Sequence, residues 1–453
     1  MTVRKTGLYD YKEFHMDVFS GNSRNVSRRG FLGFAAAAAS LPLLASCGSG
    51  ASGASGSGGG STLKVWDMPW GPTEYTNAAK SLVNGYSGQN GAKATYQSIQ
   101  WANYYQTFAS AVASKTGPAI SSGGGFQAFQ FADQGAIAYA DNLVASLKKS
   151  GSYDDFLPGT FDSLKTDKGY VAVPWQLDMR VLSYRKSLLD KAGVEAPTNW
   201  DSFVTVGKAL KKIGVIGYGT ATGAGALIGE QSILAMMINN GGGLFGEDGK
   251  PDCVTDRNIE TLQFFQQLSR EGIIDPAAVS YTSANLNNDW KSKKIGMGFS
   301  VPSLKSSLNE TDDDIQIGSP LEGPHGDKGT LYYVNNLMMY TNTPSQQASE
   351  AFLAWYLDQM KDYWQKGLLQ ALPVRKSIVN MPEFQKDANN LKAVKEWQPV
   401  AKTFAARSTK IVSALNAVDG GQAFTSFAQQ VLQGQTDPKT ALATLQKGIE
   451  SVM

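Results

Sequence analysis

From Thr62 onward the apolar residues of this chain switch repeatedly between two spacings, and that switching narrows the folds open to it. Leu63-Lys64-Val65-Trp66 reads as a strand, and Tyr75, Ala79, Leu82, Val83 and Tyr86 then recur at helical spacing. Ala94 to Ile99 alternates like a second strand, and Tyr104, Phe108, Ala111 and Val112 mark the next helix. Val171-Ala172-Val173 and Val181 to Tyr184 read as strands on either side of Pro174. Trp200, Phe203, Val204, Gly207 and Leu210 lie along a helix that Thr198 is placed to cap. Leu227 to Ile238 and Ile259 to Leu268 are further helices, and Lys294 to Val301 and Leu331 to Tyr340 further strands. Asp437-Pro438 starts a last helix, with Ala441, Leu442, Leu445, Ile449 and Val452 on its buried face. This order predicts an α/β chain with mostly parallel sheets flanked by helices. About 400 residues exceed what one such sheet covers, so two α/β lobes are expected.

The segment before Thr62 has another composition. An apolar run from Phe31 to Ala45, broken by Pro42 and small residues, follows Arg28 and Arg29 and ends at Cys47. A bilayer needs roughly 20 apolar residues to be crossed. A basic stretch, a short apolar stretch and small residues before a cut instead form a secretory signal. Leu44-Ala45-Ser46-Cys47 resembles a bacterial lipoprotein signal, which implies removal of 1–46 and lipidation of the Cys47 thiol. Ser27-Arg28-Arg29-Gly30-Phe31-Leu32 resembles a twin-arginine export signal, with Gly33 where a Lys is usual, and general secretion is the alternative route. A start at Met16 rather than Met1 would leave a more ordinary basic stretch. Residues 48–61 are Gly, Ser and Ala alone, which cannot bury apolar area. With Cys47 they form a flexible tether, 47–61, with a reach of roughly 20 Å.

The first 46 residues hold six of the 41 Lys and Arg and three of the 39 Asp and Glu. The remainder is close to neutral and gives no electrostatic reason to expect nucleic acid as a partner. With Cys47 lipidated, Cys253 is left alone, so no disulfide framework is expected.

Several short runs follow one another in a known order. They are Gly169-Tyr170-Val171-Ala172-Val173-Pro174-Trp175, Asp178, Leu182-Ser183-Tyr184-Arg185-Lys186, Ala192-Gly193-Val194 and Pro197-Thr198-Asn199-Trp200-Asp201. Asn240-Gly241-Gly242-Gly243-Leu244-Phe245, Lys294-Ile295-Gly296-Met297-Gly298-Phe299, Leu372-Pro373-Val374-Arg375 and Leu432-Gln433-Gly434 continue it. Their joint order resembles the maltose-binding-like (family 1) extracellular solute-binding proteins of bacterial sugar ABC importers. The resemblance implies a hinged two-lobe fold of the type II periplasmic-binding-protein kind. One lobe would hold 62–174 and 337–371, the other 175–336 and 372–453, with hinges near 175–178 and 334–336. It further implies a monomer without cofactor or metal. That monomer would bind a sugar, of disaccharide or oligosaccharide size, between its lobes and deliver it to membrane permease subunits, anchored outside the cell membrane through Cys47.

Sugar chemistry selects the candidate contacts. Aromatic faces stack on the C–H patches of a pyranose, and planar Asp, Asn, Gln and Arg groups pair with its hydroxyls. Trp66 and Trp70 flank the end of the first strand, Trp101 opens a helix, Trp175 sits at the first expected hinge and Trp290 in Asn-Asn-Asp-Trp-Lys. Asp178 lies where the family places an acidic sugar contact, with Arg180 beside it. Gln127 follows Gly123-Gly124-Gly125-Phe126, a loop where family members often carry an Asp. Asn335 and Asn336 fall at the second expected hinge. Gly241 to Gly246 matches G-x-G-x-x-G, yet it follows a helix rather than a strand, so a dinucleotide site is not expected. His325 would be the one imidazole after cleavage, too few for a Ser/His/Asp set or a His-rich zinc site. An exported glycosidase, needing two carboxylates, and a lipid-anchored adhesin or scaffold are the competing classes. Cys47→Ser should move the protein out of the membrane fraction with its ligand affinity intact. Unchanged membrane retention would refute lipidation at that thiol.

Overall fold

The computed structural model describes residues 60–453, apart from 101–103, 370, 409–412 and 420. The export and lipidation signals at Arg28, Arg29 and Cys47, and the candidate contact Trp101, lie outside the described residues. Thirteen strands are described. In chain order they are β1 (Thr62–Asp67), β2 (Lys93–Ser98), β3 (Ile120–Gly123), β4 (Lys165–Thr166), β5 (Gly169–Tyr170), β6 (Val173–Met179) and β7 (Val181–Arg185). Then come β8 (Ile216–Tyr218), β9 (Ile295–Ser300), β10 (Ile315–Ile317), β11 (Thr330–Met339), β12 (Leu372–Pro373) and β13 (Ala401–Lys402).

Two sheets organise eleven of them, and β4 and β5 pair separately as a two-stranded ribbon. The larger runs β12-β6-β11-β3-β1-β2, with β13 also paired to β11, and the smaller runs β10-β7-β9-β8. β1 is parallel to β2 and β3, but β11 is antiparallel to both β3 and β6. In the smaller sheet only β8–β9 is parallel, while β7 runs antiparallel to β9 and β10. The expectation of mostly parallel sheets is therefore corrected to mixed sheets. The late strand β11 enters the larger sheet against the grain, between two strands laid down far earlier.

Local chemistry explains the elements. In β1, Leu63 and Val65 are buried while Thr62 and Lys64 are exposed, the period of a half-buried strand. β9 is buried at all six positions. A Cβ at its Gly296 would lie 2.4 Å from a Leu210 methyl, so the glycine lets helix Trp200–Lys212 settle on the sheet. That helix is capped by Asn199, not Thr198; Asn199 and Ser202 exchange hydrogen bonds in a capping box. Asp437 caps helix Pro438–Glu450 as expected, accepting from Thr440 N. Helix Ile228–Asn239 is buried from Gly229 to Asn239, because β9, β11 and helices Asp256–Arg270 and Gln422–Gln433 all pack on it. Pro174 does not separate two strands but lies within β6, opposite Asn336 where the register shifts. A bulge is where a sheet tolerates a missing N–H.

Three of the candidate tryptophans belong to cores. Trp66 is buried edge-on to Phe108, with ring centroids 5.3 Å apart. Trp290 is buried among Ala221, Leu286, Ile295, Leu304 and Ile315. Its carbonyl accepts from the fully buried Arg185, whose guanidinium also pairs with Glu310 and Asp314. Trp175 has no exposed surface and sits 5.7 to 6.0 Å from the rings of Tyr356, Tyr363 and Trp364. The expectation that Trp175 faces the ligand is corrected by its packing. Trp175 is the residue that the register shift of β6 leaves without a partner on β11, and its side chain packs into the aromatic cluster while Asp178 reaches the cleft. Trp175→Ala should lower unfolding stability by about 3–5 kcal/mol, the usual loss on truncating a core tryptophan. Thermal and urea unfolding of the unliganded protein check this, and wild-type stability would contradict the core assignment.

Candidate functional site

The carboxyl ends of the parallel strands set the position of a cleft. The chain leaves β1 at Asp67 and reaches Trp70, and it leaves β3 at Gly123 and turns through Gly124, Gly125 and Phe126. Opposite them stand Val301, Pro302 and Ser303 after β9, with Leu227 and Gln231 at the head of helix Ile228–Asn239. Asp178, Arg180, Tyr333 and Asn335 form the floor, and Tyr104, Asn416 and Asp419 also line the cleft, with Pro69, Ser307 and Ala371. The cleft has a volume of about 350 Å³, within the roughly 300–1,000 Å³ range of small-molecule sites. Open α/β sheets place ligands at this end of their strands.

Each polar group on the floor is held by its neighbours. Arg180, the residue between β6 and β7, is buried. It donates to Asp178 Oδ1 (2.8 Å), to Gln231 Oε1 twice (2.8 and 2.5 Å) and to the Met179 carbonyl (3.1 Å). Burial works against its charge, but Asp178 and Asp419 keep its pKa above the ordinary value. The guanidinium lies 5.5 Å from the centre of the Tyr333 ring, a cation–π distance. Burial, and then Asp419, drive the Tyr333 phenol well above its usual range, so it stays protonated and donates to Asp419 Oδ1 (3.1 Å). Burial pushes the Asp419 carboxyl up to about 6, opposed by Tyr333, Arg180 and Gln231.

Asn335 and Asn336 clamp the loop after β3 from below. Gly125 N donates to Asn335 Oδ1 (3.3 Å), and Asn336 Nδ2 donates to the Gly125 carbonyl (3.1 Å). Gly125 has φ +44°, in the left-handed region that favours glycine, and a Cβ there would press tightly on the Tyr333 ring at 3.3 Å. Asn335 lines the cleft, whereas Asn336 is fully buried beneath it. Gln127 is also fully buried and opens helix Gln127–Asp133. Phe126, one residue earlier, takes the cleft position instead.

Of the candidates drawn from sequence, the structure brings Trp70, Asp178, Arg180 and Asn335 together at the cleft. Trp66, Gln127, Trp175, Trp290 and Asn336 are buried away from its lining. Sequence reasoning missed Tyr104, Phe126, Gln231, Tyr333, Asn416 and Asp419. Tyr333 carried a signal, since it stands two residues from Asn335 on one strand face. Asn416 and Asp419 arrive from a distant loop and carried none.

A family model described as bacterial extracellular solute-binding protein matches residues 69–361. The chain belongs to that family. A solved sugar transporter from Arthrobacter chlorophenolicus A6, with bound laminaribiose, superposes with a TM-score of 0.81 at 54% identity. It covers 86% of this chain and 99% of its own. The acarbose-binding GacH receptor of Streptomyces glaucescens shares the fold at TM-score 0.71 and 21% identity, over 87% of this chain and 98% of its own. The Escherichia coli putative ABC transporter periplasmic-binding protein YcjN is 24% identical over 72% of this chain and 76% of its own. The fold is thus the two-lobe periplasmic-binding-protein fold. As a member of an extracellular binding family, the protein is exported.

Two buried acids, Asp67 and Glu230, and the half-buried Asp419 set the response of this fold to pH. Burial raises Asp67 to about 6, Asp419 to about 6 and Glu230 to about 8. A carboxyl whose folded pKa is raised gives stability that is full below its unfolded pKa and is lost as pH rises through the folded value. Burial also opposes ionisation of Asp314, but Ser187, Lys293 and Arg185 hold that carboxyl well below its ordinary range. It is therefore ionised in both states above about pH 5 and adds no slope there. The melting temperature of the unliganded protein should rise as pH is lowered from about 8 to about 5. Calorimetry at constant ionic strength checks this, and a falling melting temperature over that window would contradict it.

Proposed function

We propose that this protein captures a neutral disaccharide or short oligosaccharide, laminaribiose first among them, in the cleft between its lobes and delivers it to the permease of an ABC importer. The observation that carries the substrate is the 54% identity to a laminaribiose-bound chain, 99% of which is covered. Laminaribiose is two glucose units joined β-1,3. Each pyranose offers an apolar face to rings such as Trp70, Tyr104 and Phe126, and a belt of hydroxyls to Asp178, Asn335, Gln231 and Asn416. The one guanidinium in the lining is already engaged by Asp178 and Gln231, and Asp178 and Asp419 are both acids. That balance disfavours sugar acids and sugar phosphates.

In this reading the lobes are 62–174 with 337–371, and 175–336 with 372–453, and they close by rotation about 175–178 and 334–336. Lipidation of Cys47 holds the monomer at the outer face of the cytoplasmic membrane, with 47–61 as its leash. No catalysis is ascribed to it.

Laminaribiose at a hundredfold excess over its Kd should add about 2.7 kcal/mol of stability, seen as several degrees in melting temperature. Maltose, xylo-oligosaccharides and monosaccharides should give less. Asp178→Ala should weaken laminaribiose binding by roughly 1–3 kcal/mol, because sugar hydroxyls and Arg180 lose their partner. Titration calorimetry and thermal-shift measurements read both effects. Flat melts over the whole panel would overturn the transport reading, and release of glucose from laminaribiose would assign the protein to the glycosidases.

A further inference from the structure

We infer that Ser122 and Asp67, neither of which lines the cleft, are positioning residues that fix the indole of Trp70 for ligand stacking. The inference rests on the reading of the cleft as the sugar site. Its basis is a complete account of one hydroxyl. Ser122 is 2% exposed, at the third position of β3, and a serine hydroxyl has one hydrogen to give and two lone pairs to offer. Its hydrogen goes to Asp67 Oδ1 at 2.5 Å. One lone pair takes the Met68 N–H at 3.2 Å and the other the Trp70 Nε1–H at 2.9 Å. No capacity remains. The hydroxyl cannot rotate without breaking the bond to Asp67, and the indole cannot turn about its ring without losing its acceptor.

Asp67 sets the direction of the whole array. It is buried at the carboxyl end of β1, and its other oxygen, Oδ2, accepts from the phenols of Tyr75 (2.8 Å) and Tyr96 (3.2 Å). The titratable groups acting on this carboxylate are the phenols of Tyr75, Tyr96, Tyr356 and Tyr363. Burial holds each of them protonated through the neutral range, so each can donate. The three hydroxyls in hydrogen-bond contact with Asp67, those of Ser122, Tyr75 and Tyr96, thus each point a hydrogen at it. A proton on Asp67 would face donors only, and Ser122 would have to turn its own hydrogen elsewhere, displacing the Met68 or Trp70 contact. Burial raises this carboxyl to about 6, within reach of mild acidification. Acid should therefore strengthen the fold while loosening Trp70. Affinity and stability move in opposite directions with pH, and a merely structural Ser122 would not produce that divergence.

The test uses the full mature chain labelled with 5-fluorotryptophan, the Trp70 resonance being assigned with Trp70→Phe. In the sugar-free protein, Ser122→Ala should shift and broaden the Trp70 resonance alone. It should also raise the laminaribiose Kd roughly fivefold, the equivalent of one hydrogen bond. In the wild type the Trp70 resonance should move, and the Kd rise, as pH falls from about 7 to about 5. Asp67→Asn, which keeps an acceptor for Ser122 but cannot titrate, should flatten both profiles and serves if Ser122→Ala fails to fold. A Trp70 resonance indifferent to Ser122→Ala overturns the inference, as does a moved resonance with unchanged Kd, or a pH profile that survives Asp67→Asn. A wild type that binds no laminaribiose while its Trp70 resonance still follows Ser122 would overturn the sugar reading and leave the array standing.

Discussion

A guanidinium without water must be matched by acceptors, and the floor of this protein is arranged around that requirement at Arg180. The chain changes sheets at this residue, leaving β6 for β7. Its partners come from the preceding strand (Asp178), from helix Ile228–Asn239 (Gln231) and from the face of Tyr333 on β11. Tyr333 then reaches Asp419 in the C-terminal region. Four segments far apart in sequence are tied by one buried cation. Removing any single partner leaves charge exposed to a medium that cannot solvate it. The candidate ligand contacts Asp178 and Gln231 are therefore pre-oriented by the same interaction that secures the crossing between sheets, and binding need not spend free energy on ordering them.

The acids in and around the cleft divide into two kinds. Asp178 is partly exposed and paired with Arg180 at 2.8 Å. Asp67 and Glu230 are held by neutral hydroxyl donors such as Ser122 and Thr425, and at Asp419 burial outweighs Tyr333, Arg180 and Gln231, so all three carboxyls rise. Glu230 follows this logic furthest, with one oxygen accepting from Thr425 and the rest of the group enclosed. Such groups weaken the fold where they are ionised, and they persist where a directed acceptor is wanted, as at Asp67.

Much of the fold was legible because periodicity records burial. The strand at Leu63, the helices at Tyr75 and Phe203 and the cap at Asp437 all follow from spacing. The antiparallel entry of β11 did not, because strand direction depends on partners about two hundred residues away that no local pattern names. At the site, Asp178, Arg180, Trp70 and Asn335 were legible from residue type and loop position. Trp175 and Trp290 were misplaced because a tryptophan looks alike in a core and in a cleft. Ser122 had no signature at all: a serine at the end of a buried strand gains its role only when Asp67, Met68 and Trp70 converge on it.

The antiparallel seat of β11 between β3 and β6 bears on how the protein is made. Ser121 on β3 meets Tyr340, its hydrogen-bond partner just past the end of β11, across 219 residues of chain. At about 5–20 residues per second, the ribosome delivers β11 roughly ten to forty seconds after β3. Throughout that interval β1, β2 and β3 present an unfilled edge, and β6 waits beside it. The larger sheet keeps that open edge until β11 emerges, so the nascent chain is an open-edged intermediate for most of its synthesis. Export machinery that accepts unfolded chains meets this protein while it is still incomplete. Machinery that accepts folded cargo must wait for its last third.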